Sequence, residues 1–469
     1  MDTSITLAII SIFLPFCYSL FLIAKRLQLS LVNKWTLNHG FSVISLIGMV
    51  LFIVQKIINT PYEFDFDFFI MEKINLRAAF LIDESNIDYL IYSMLGFLLV
   101  SIFCSFYFNK KKQYIFTKQR FYTFLSLLSF NTILFFISAT IVQSFVFWVL
   151  NGLIVYIFSY FDIYKSTTNY NLNRFYRVYL IGDFAFLGAI LVFCRYASLS
   201  NGYIDPVELG YGELDSLISY SYGLNNYAEF ALGAVCLYLA SFSRLFILPF
   251  NCFYSFSINS SRPLYVTLIT VANCPLGAFL FLKTLPYIEL MEDNIIYLQI
   301  FIILTIVITS ILILFEKNLK IIFGQIFSII NGLFILGVFF FDPLIILYIY
   351  FLATIVTTLF VWKLFLADIT SLKKRPVDIK KGFLIERIHI FLFEDLPGGV
   401  SRVFNVFVKK VNFSFIPLIF RFFDIISCFI IRKFTKNSRM MTIRNILIIF
   451  ALVILFAIFI TLFGNYQEM

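Results

Sequence analysis

The sequence has few charged residues and few side chains that bind metals or redox cofactors. Only 13% of its 469 residues are charged, and its two histidines, His39 and His389, lie far apart. The seven cysteines stand singly with no Cys-x-x-Cys pair, so zinc and iron–sulfur spacings are missing and they are interpreted as small apolar fillers. A glycine-rich dinucleotide loop after a strand is also missing. These absences exclude redox chemistry carried by the chain itself.

Hydrophobic sequence is abundant instead. It makes up 61% of the chain, with a mean hydropathy of +0.92, and falls into about a dozen runs that reach the ~20 residues needed to cross a bilayer. A β-barrel would show short alternating segments rather than unbroken runs. The sequence therefore predicts an all-α integral membrane protein with about 12 transmembrane helices. The runs start near Ser4, Gly40, Tyr89, Phe121, Ile141, Phe175, Glu229, Pro263, Ile295, Leu319, Pro343 and Asn445.

The charges in the gaps between runs alternate in sign. The gap after the first run holds Lys25, Arg26 and Lys34, whereas the next is mostly acidic, and every second gap is basic. Basic loops stay on the inner side of a membrane, so both termini are expected on the outer side. The net charge of +9 then reflects inner loops that face anionic lipid, and no nucleic-acid partner is implied.

Two segments differ from this pattern. Aromatic and acidic residues alternate from Glu63 to Phe68, a period of two that predicts an outer-side hairpin within about 59–88. The stretch 367–441 is basic and amphipathic, which indicates a linker and a lateral helix on the membrane surface. The predicted units are therefore a bundle of eleven spans at 1–366, this lateral segment, and an anchor helix at 442–469. A span at 413–431 is the alternative, but Arg421 and Asp424 would lie at its middle.

Ionisable residues inside the spans are candidates for function because each costs roughly 2.5–3.5 kcal/mol to insert. Asp183 lies midway along the sixth run, and Arg244 lies in the seventh shortly before Pro249, which should break that helix. Such breaks recur in transport proteins. Four further candidates are Arg174, Arg177, Lys320 and Lys363. Asp183 could instead pair with one of the two arginines near the inner face, and the two lysines could extend to the membrane interface.

Several pieces, in this order, resemble the antiporter-like subunits of proton-pumping NADH:ubiquinone oxidoreductase (respiratory complex I), and within those chain 5. The pieces are 120–127, Trp148 with Gly152, 182–184, Arg244 with Pro249, and 318–325. The resemblance implies an antiporter-like bundle whose broken seventh helix carries Arg244. It also implies that the tail around Phe422 and Asp424 is chain 5's lateral helix, followed by its anchor.

The departures from that family bear on function. Val149 stands where the family has a glutamate after its tryptophan, Arg244 replaces a lysine, and Ile269 replaces a histidine. The family's later helices, with their second lysine, are expected to be missing. A guanidinium stays protonated at physiological pH, so it polarises its surroundings but does not relay protons. We therefore expect a subunit with its proton path mostly lost.

The resemblance implies a membrane-arm subunit of complex I, largely structural, with electron transfer in partner subunits. Three alternatives remain. The chain could keep a working half-channel through Arg244 and Asp183, or it could be chain 2 or chain 4 of the same complex, since residues 273–277 resemble chain 2. It could also be a stand-alone cation:proton antiporter. The expected partners are other membrane-arm subunits and the bilayer. No cofactor is expected in this chain beyond bound cardiolipin or another phospholipid. Abundant Phe, Tyr, Ile, Asn and Lys favour organelle encoding, and hence the mitochondrial inner membrane.

Overall fold

A computed structural model describes most of the first 371 residues. These form eleven α-helices and one two-stranded hairpin. The predicted lateral segment beyond residue 371, with Arg421 and Asp424, and the predicted anchor lie outside the described part of the chain, so the total of about 12 helices stays a prediction. The described residues are 3–27, 34–58, 62–71, 74–111, 115–159, 166–199, 227–247, 250, 266–285, 295–315 and 319–371.

The helices follow the order of the predicted hydrophobic runs, and most begin at or shortly before the predicted start. A π-helical turn, Leu268–Asn273, leads directly into the eighth helix. The last described helix continues past the predicted domain boundary at residue 366. The helices are α1 Thr3–Leu27, α2 Lys34–Ile58, α3 Glu84–Lys111, α4 Ile115–Phe136, α5 Ile141–Ser159, α6 Ser166–Leu199, α7 Tyr227–Leu245, α8 Cys274–Lys283, α9 Ile295–Phe315, α10 Leu319–Phe340 and α11 Pro343–Ser371.

The apolar helices confirm a multi-pass membrane protein. Six of the described helices are long and apolar enough to cross a bilayer, and three shorter apolar helices accompany them. The most hydrophobic, α9, is largely exposed along its length, as suits a helix at the edge of a bundle in lipid. The six candidate spans are His39–Ile58, Asn86–Phe108, Ile141–Phe158, Ile295–Leu314, Ile322–Phe340 and Pro343–Trp362.

A β-hairpin lies in the segment where the aromatic–acidic alternation predicts strands. β1 (Tyr62–Met71) pairs antiparallel with β2 (Ile74–Ile82), and a bulge interrupts the register between Asp67 and Phe69. β2 is also fastened to the short link between α4 and α5, because Leu81 N donates to Ile137 O at 2.7 Å. Main-chain bonds of this kind depend little on side chains, so they hold the hairpin to the bundle in a fixed register.

The candidate site lies where α5, α6, α7 and α8 meet. The contact between α6 and α7 is unusually close, because Gly182 of α6 faces Ser243 of α7. Small residues at such crossings let two helix backbones approach within a membrane. Arg244, Trp148 and Tyr179 are among the largest fully buried side chains of the described chain. The fully buried Arg244 thus lies next to a close crossing of α6 and α7.

Candidate functional site

A buried ion pair joins α6 to the end of α7. Nη2 of Arg244 lies 3.2 Å from Oδ1 of Asp183. The side chains are 0% and 8% exposed, respectively. Either charge alone would be costly at this depth, and each offsets the cost of the other. The structure therefore brings together two of the residues that the sequence singled out.

Two aromatic rings enclose the guanidinium of Arg244. Its Cζ lies 3.9 Å from the ring centroid of Tyr179 and 4.6 Å from that of Trp148. Nη2 also donates to the backbone oxygen of Trp148 at 3.1 Å. A desolvated cation–π contact contributes about 2 kcal/mol or more. The arginine is thus held by one carboxylate, one carbonyl and two ring faces.

Two glycines make room for this arrangement. A Cβ atom on Gly152 would lie 3.2 Å from Nη2 of Arg244 and 3.5 Å from Tyr179. A Cβ atom on Gly182 would lie 2.0 Å from Oγ of Ser243. A larger residue at 182 would push α6 away from α7 and separate Asp183 from Arg244. These glycines are required by space rather than by backbone conformation.

The end of α7 is irregular. The helix stops at Leu245, shortly before Pro249, which lies outside the described residues. Phe246 then takes a left-handed conformation with φ 56°, which costs an L-residue roughly 1–2 kcal/mol. Ile247 N donates back to Phe242 O at 3.2 Å, as in a helix C-cap normally made with glycine. A break is therefore present at the position where the sequence predicts one.

The π-helical turn before α8 supplies another polar contact. The hydroxyl of Tyr179 donates to Oδ1 of Asn273, the last residue of that turn, at 2.5 Å. Tyr179 therefore contacts Arg244 with its ring and the π-helical turn with its hydroxyl. Single π-helical turns inside helices occur frequently at functional sites.

The other predicted residues have different outcomes. Arg174, Arg177, Lys320 and Lys363 lie on described helices, but their side chains are outside the described part of the chain, so their roles stay predictions. The sequence offers Arg174 or Arg177 as an alternative partner for Asp183, and the structure shows Arg244 bound to it. Arg421 and Asp424 are not described, and their contacts also stay predictions.

The structure adds residues that the sequence argument did not select as site residues. Three of them are fully buried side chains that carry polar groups: Tyr179, Asn273 and Asn331. The fourth, Trp148, was considered only as part of the family motif. A signal was available, because an asparagine in an apolar helix needs a hydrogen-bond partner inside the membrane. Sequence alone does not say which partner that is.

The chemistry open to this site is electrostatic. A guanidinium held between aromatic rings and a carboxylate keeps its proton, so the pair provides a fixed dipole and a helix clamp. Among the described residues, His, Cys, Asp and Glu form no group of three or more that could hold a metal ion.

Comparisons with known proteins give a fold but no family. No family model matches the sequence, and a search of curated proteins found no match. Among solved structures, a chain of the Mrp complex from Dietzia sp. DQ12-45-1b matches with a TM-score of 0.59 and 15% identity over 77% of this chain. A chain of the membrane-bound sulfane sulfur reductase, an archaeal respiratory membrane complex, matches with a TM-score of 0.58 and 12% identity over 75%.

This chain spans 37% of the first of those chains and 55% of the second. Identities this low establish the fold and leave activity open. The prediction of chain 5 in particular is not tested by these matches. The chain is a multi-pass helical membrane protein that shares its fold with a chain of the Mrp complex and a chain of an archaeal respiratory membrane complex.

Proposed function

We propose that this chain is an antiporter-like membrane subunit of a respiratory complex of the NADH:ubiquinone oxidoreductase type, similar to chain 5. In this role it completes the membrane arm and contributes little proton movement of its own. The fold shared with chains of two membrane complexes, one of them respiratory, supports the assignment. The residue pieces 120–127 and 182–184 support the complex I relationship. The proposed location is the mitochondrial inner membrane, with an anionic phospholipid such as cardiolipin against the basic inner loops.

The buried pair of Arg244 and Asp183 carries the structural part of this proposal. A proton path needs groups that change protonation during turnover, whereas this guanidinium remains charged. Its carboxylate partner is already bound at 3.2 Å, and Val149 stands where the family has a glutamate. The pair therefore fixes α6 against the broken end of α7 and does not exchange protons between them.

The assignment is tested by identifying the proteins that associate with this chain. Native membranes are solubilised in mild detergent, complexes are separated on a native gel, and proteins that migrate with this chain are identified by mass spectrometry. We expect migration with a megadalton assembly that oxidises NADH in the gel. Migration alone or as a small homo-oligomer would contradict the proposal.

Cation:proton exchange is the second candidate, because the fold is also that of a chain from the Mrp complex. Purified protein in liposomes with an internal pH dye tests it under an imposed sodium or potassium gradient. We expect no cation-dependent proton flux. A flux that is lost in Asp183→Asn and kept in the control Asp88→Asn would favour exchange.

A further inference from the structure

Asn331 of α10 lies at a junction of four helices, immediately beside the end of α7. Its Nδ2 donates to Leu245 O at 2.6 Å and to Sγ of Cys274, at the start of α8, at 3.6 Å. Its Oδ1 accepts a bond from the hydroxyl of Tyr350 on α11 at 3.0 Å. The side chain is 0% exposed. One amide therefore links α7, α8, α10 and α11.

Ser328, nearly one turn earlier on α10, extends the same contact. Its hydroxyl donates to Phe246 O at 2.7 Å. The last carbonyls of a helix have no partner within the helix, and inside a membrane they need one. Side chains of α10 thus satisfy two successive carbonyls, Leu245 O and Phe246 O, at the break of α7.

The amide of Asn331 suits this position because it both donates and accepts hydrogen bonds. Both hydrogens of Nδ2 have acceptors, and Oδ1 has a donor. An aliphatic residue of similar size would leave Leu245 O and the Tyr350 hydroxyl without these partners. Interhelical hydrogen bonds of this type contribute to the association of membrane helices.

The consequence for the ion pair follows from chain connectivity. Arg244 directly precedes Leu245, so the bond to Leu245 O fixes the backbone from which the guanidinium extends. Phe246 holds a left-handed conformation that requires support from outside the helix. A shift of α11 would act on Leu245 through Tyr350 and Asn331.

We propose that Asn331 is the positioning residue of the Arg244–Asp183 pair and couples the placement of α11, through Tyr350, to that pair. This inference rests on the proposed static role of the pair within a membrane-arm subunit. It also implies a form of regulation. A partner that displaces α11 would change the electrostatic environment of Asp183 without contacting Asp183.

Trp148 supplies the measurement, because its indole lies 4.6 Å from the guanidinium. The chain has three tryptophans, so Trp35→Phe and Trp362→Phe leave Trp148 as the only reporter. The full-length protein in lipid nanodiscs is compared with its Asn331→Ala and Tyr350→Phe variants by steady-state emission and lifetime. We expect a shifted Trp148 emission maximum and altered lifetime in Asn331→Ala, and a smaller change of the same sign in Tyr350→Phe.

A matched control is available on the same helix. Gln325 is buried at 4% exposure, and Gln325→Leu also removes a buried amide from α10. Its Trp148 emission should equal that of the parent. Tyr350→Phe removes a single hydroxyl, so it keeps the test usable if Asn331→Ala fails to fold.

Unchanged Trp148 emission in the folded Asn331 and Tyr350 variants would overturn the positioning role. An equal change in Gln325→Leu would also overturn it, since the effect would then be a general loosening of α10. Neither outcome alters the co-migration result, on which the proposed function depends, so the two can fail separately.

Discussion

The ion pair of Arg244 and Asp183 gives a sharp prediction about stability. Asp183→Leu leaves a buried guanidinium without its carboxylate partner, and Arg244→Met leaves a buried carboxylate. The double variant removes both charges together. We expect each single variant to be strongly destabilised and the double variant to regain most of the loss.

The magnitudes follow from burial. Side chains 0% and 8% exposed have almost no access to solvent, so breaking the pair costs about 3–5 kcal/mol. In the double variant the charge cost disappears, and a methionine sulfur on Trp148 and Tyr179 offsets part of the lost cation–π contact. The double variant should lie within about 1–2 kcal/mol of the parent, which makes the coupling energy at least about 4 kcal/mol.

The assay is reversible unfolding in mixed micelles, followed by far-UV circular dichroism as the denaturing detergent fraction rises. The control pair is Lys56–Asp88, in which the lysine side chain is 40% exposed. Asp88 is 10% exposed, but it keeps the hydrogen bond from the Tyr348 hydroxyl at 2.7 Å, so Lys56→Met should cost clearly less than Asp183→Leu. If the Asp183 and Arg244 effects simply add in the double variant, the pair is not a coupled unit and the reasoning fails.

Three further predictions use the same assay. Gly182→Ala should cost about 1–3 kcal/mol, because its Cβ would lie 2.0 Å from Oγ of Ser243, whereas Gly188→Ala on the same helix meets only ordinary contacts and should be neutral or stabilising. Phe246→Gly should cost about 1–4 kcal/mol, because the relief of about 1–2 kcal/mol of left-handed strain offsets only part of the about 3–5 kcal/mol lost with a buried ring, and a loss above about 5 kcal/mol would refute the strain. Tyr179→Phe should cost about 0.5–1.5 kcal/mol for the bond to Asn273, and Tyr179→Leu roughly 2 kcal/mol more; equal losses would exclude the cation–π contribution.

Much of the fold could be predicted because a bilayer imposes simple length and charge rules. A helix must carry enough apolar residues to cross, so runs such as the one beginning at Ile141 coincide with α5. The hairpin was predictable from Glu63 to Phe68 because strands alternate every second residue. These features depend on local sequence alone.

The partner of Asp183 was not predictable by the same means. Arg174 and Arg177 are near it in sequence, whereas Arg244 reaches it only because Gly182 and Ser243 let α6 and α7 approach. Helix crossings are set by which faces meet, and the Phe-rich spans give few small-residue patterns to indicate this. If Gly182 and Ser243 are taken as the point where α6 crosses α7, their sequence neighbours Asp183 and Arg244 are predicted to lie close together.

The role of Asn331 was hidden for a related reason. It lies 86 residues from Leu245, and no periodicity connects a carbonyl at a helix end with an amide on a later helix. The π-helical turn at Leu268–Asn273 is equally invisible, because its sequence reads as ordinary helix. Contacts between residues this far apart in sequence can be identified only from a structure.

The enclosure of Arg244 also has a consequence for how the protein enters its membrane. Trp148, Tyr179 and Asp183 all precede Arg244 in the chain, so α5 and α6 are synthesised before the cation that they surround. An arginine in an isolated span costs roughly 2.5–3.5 kcal/mol to insert, and a carboxylate and two ring faces that are already in place lower that cost. We therefore expect α7 to insert more readily once α5 and α6 are in place. A chain whose sixth helix is misplaced should retain its seventh helix less often.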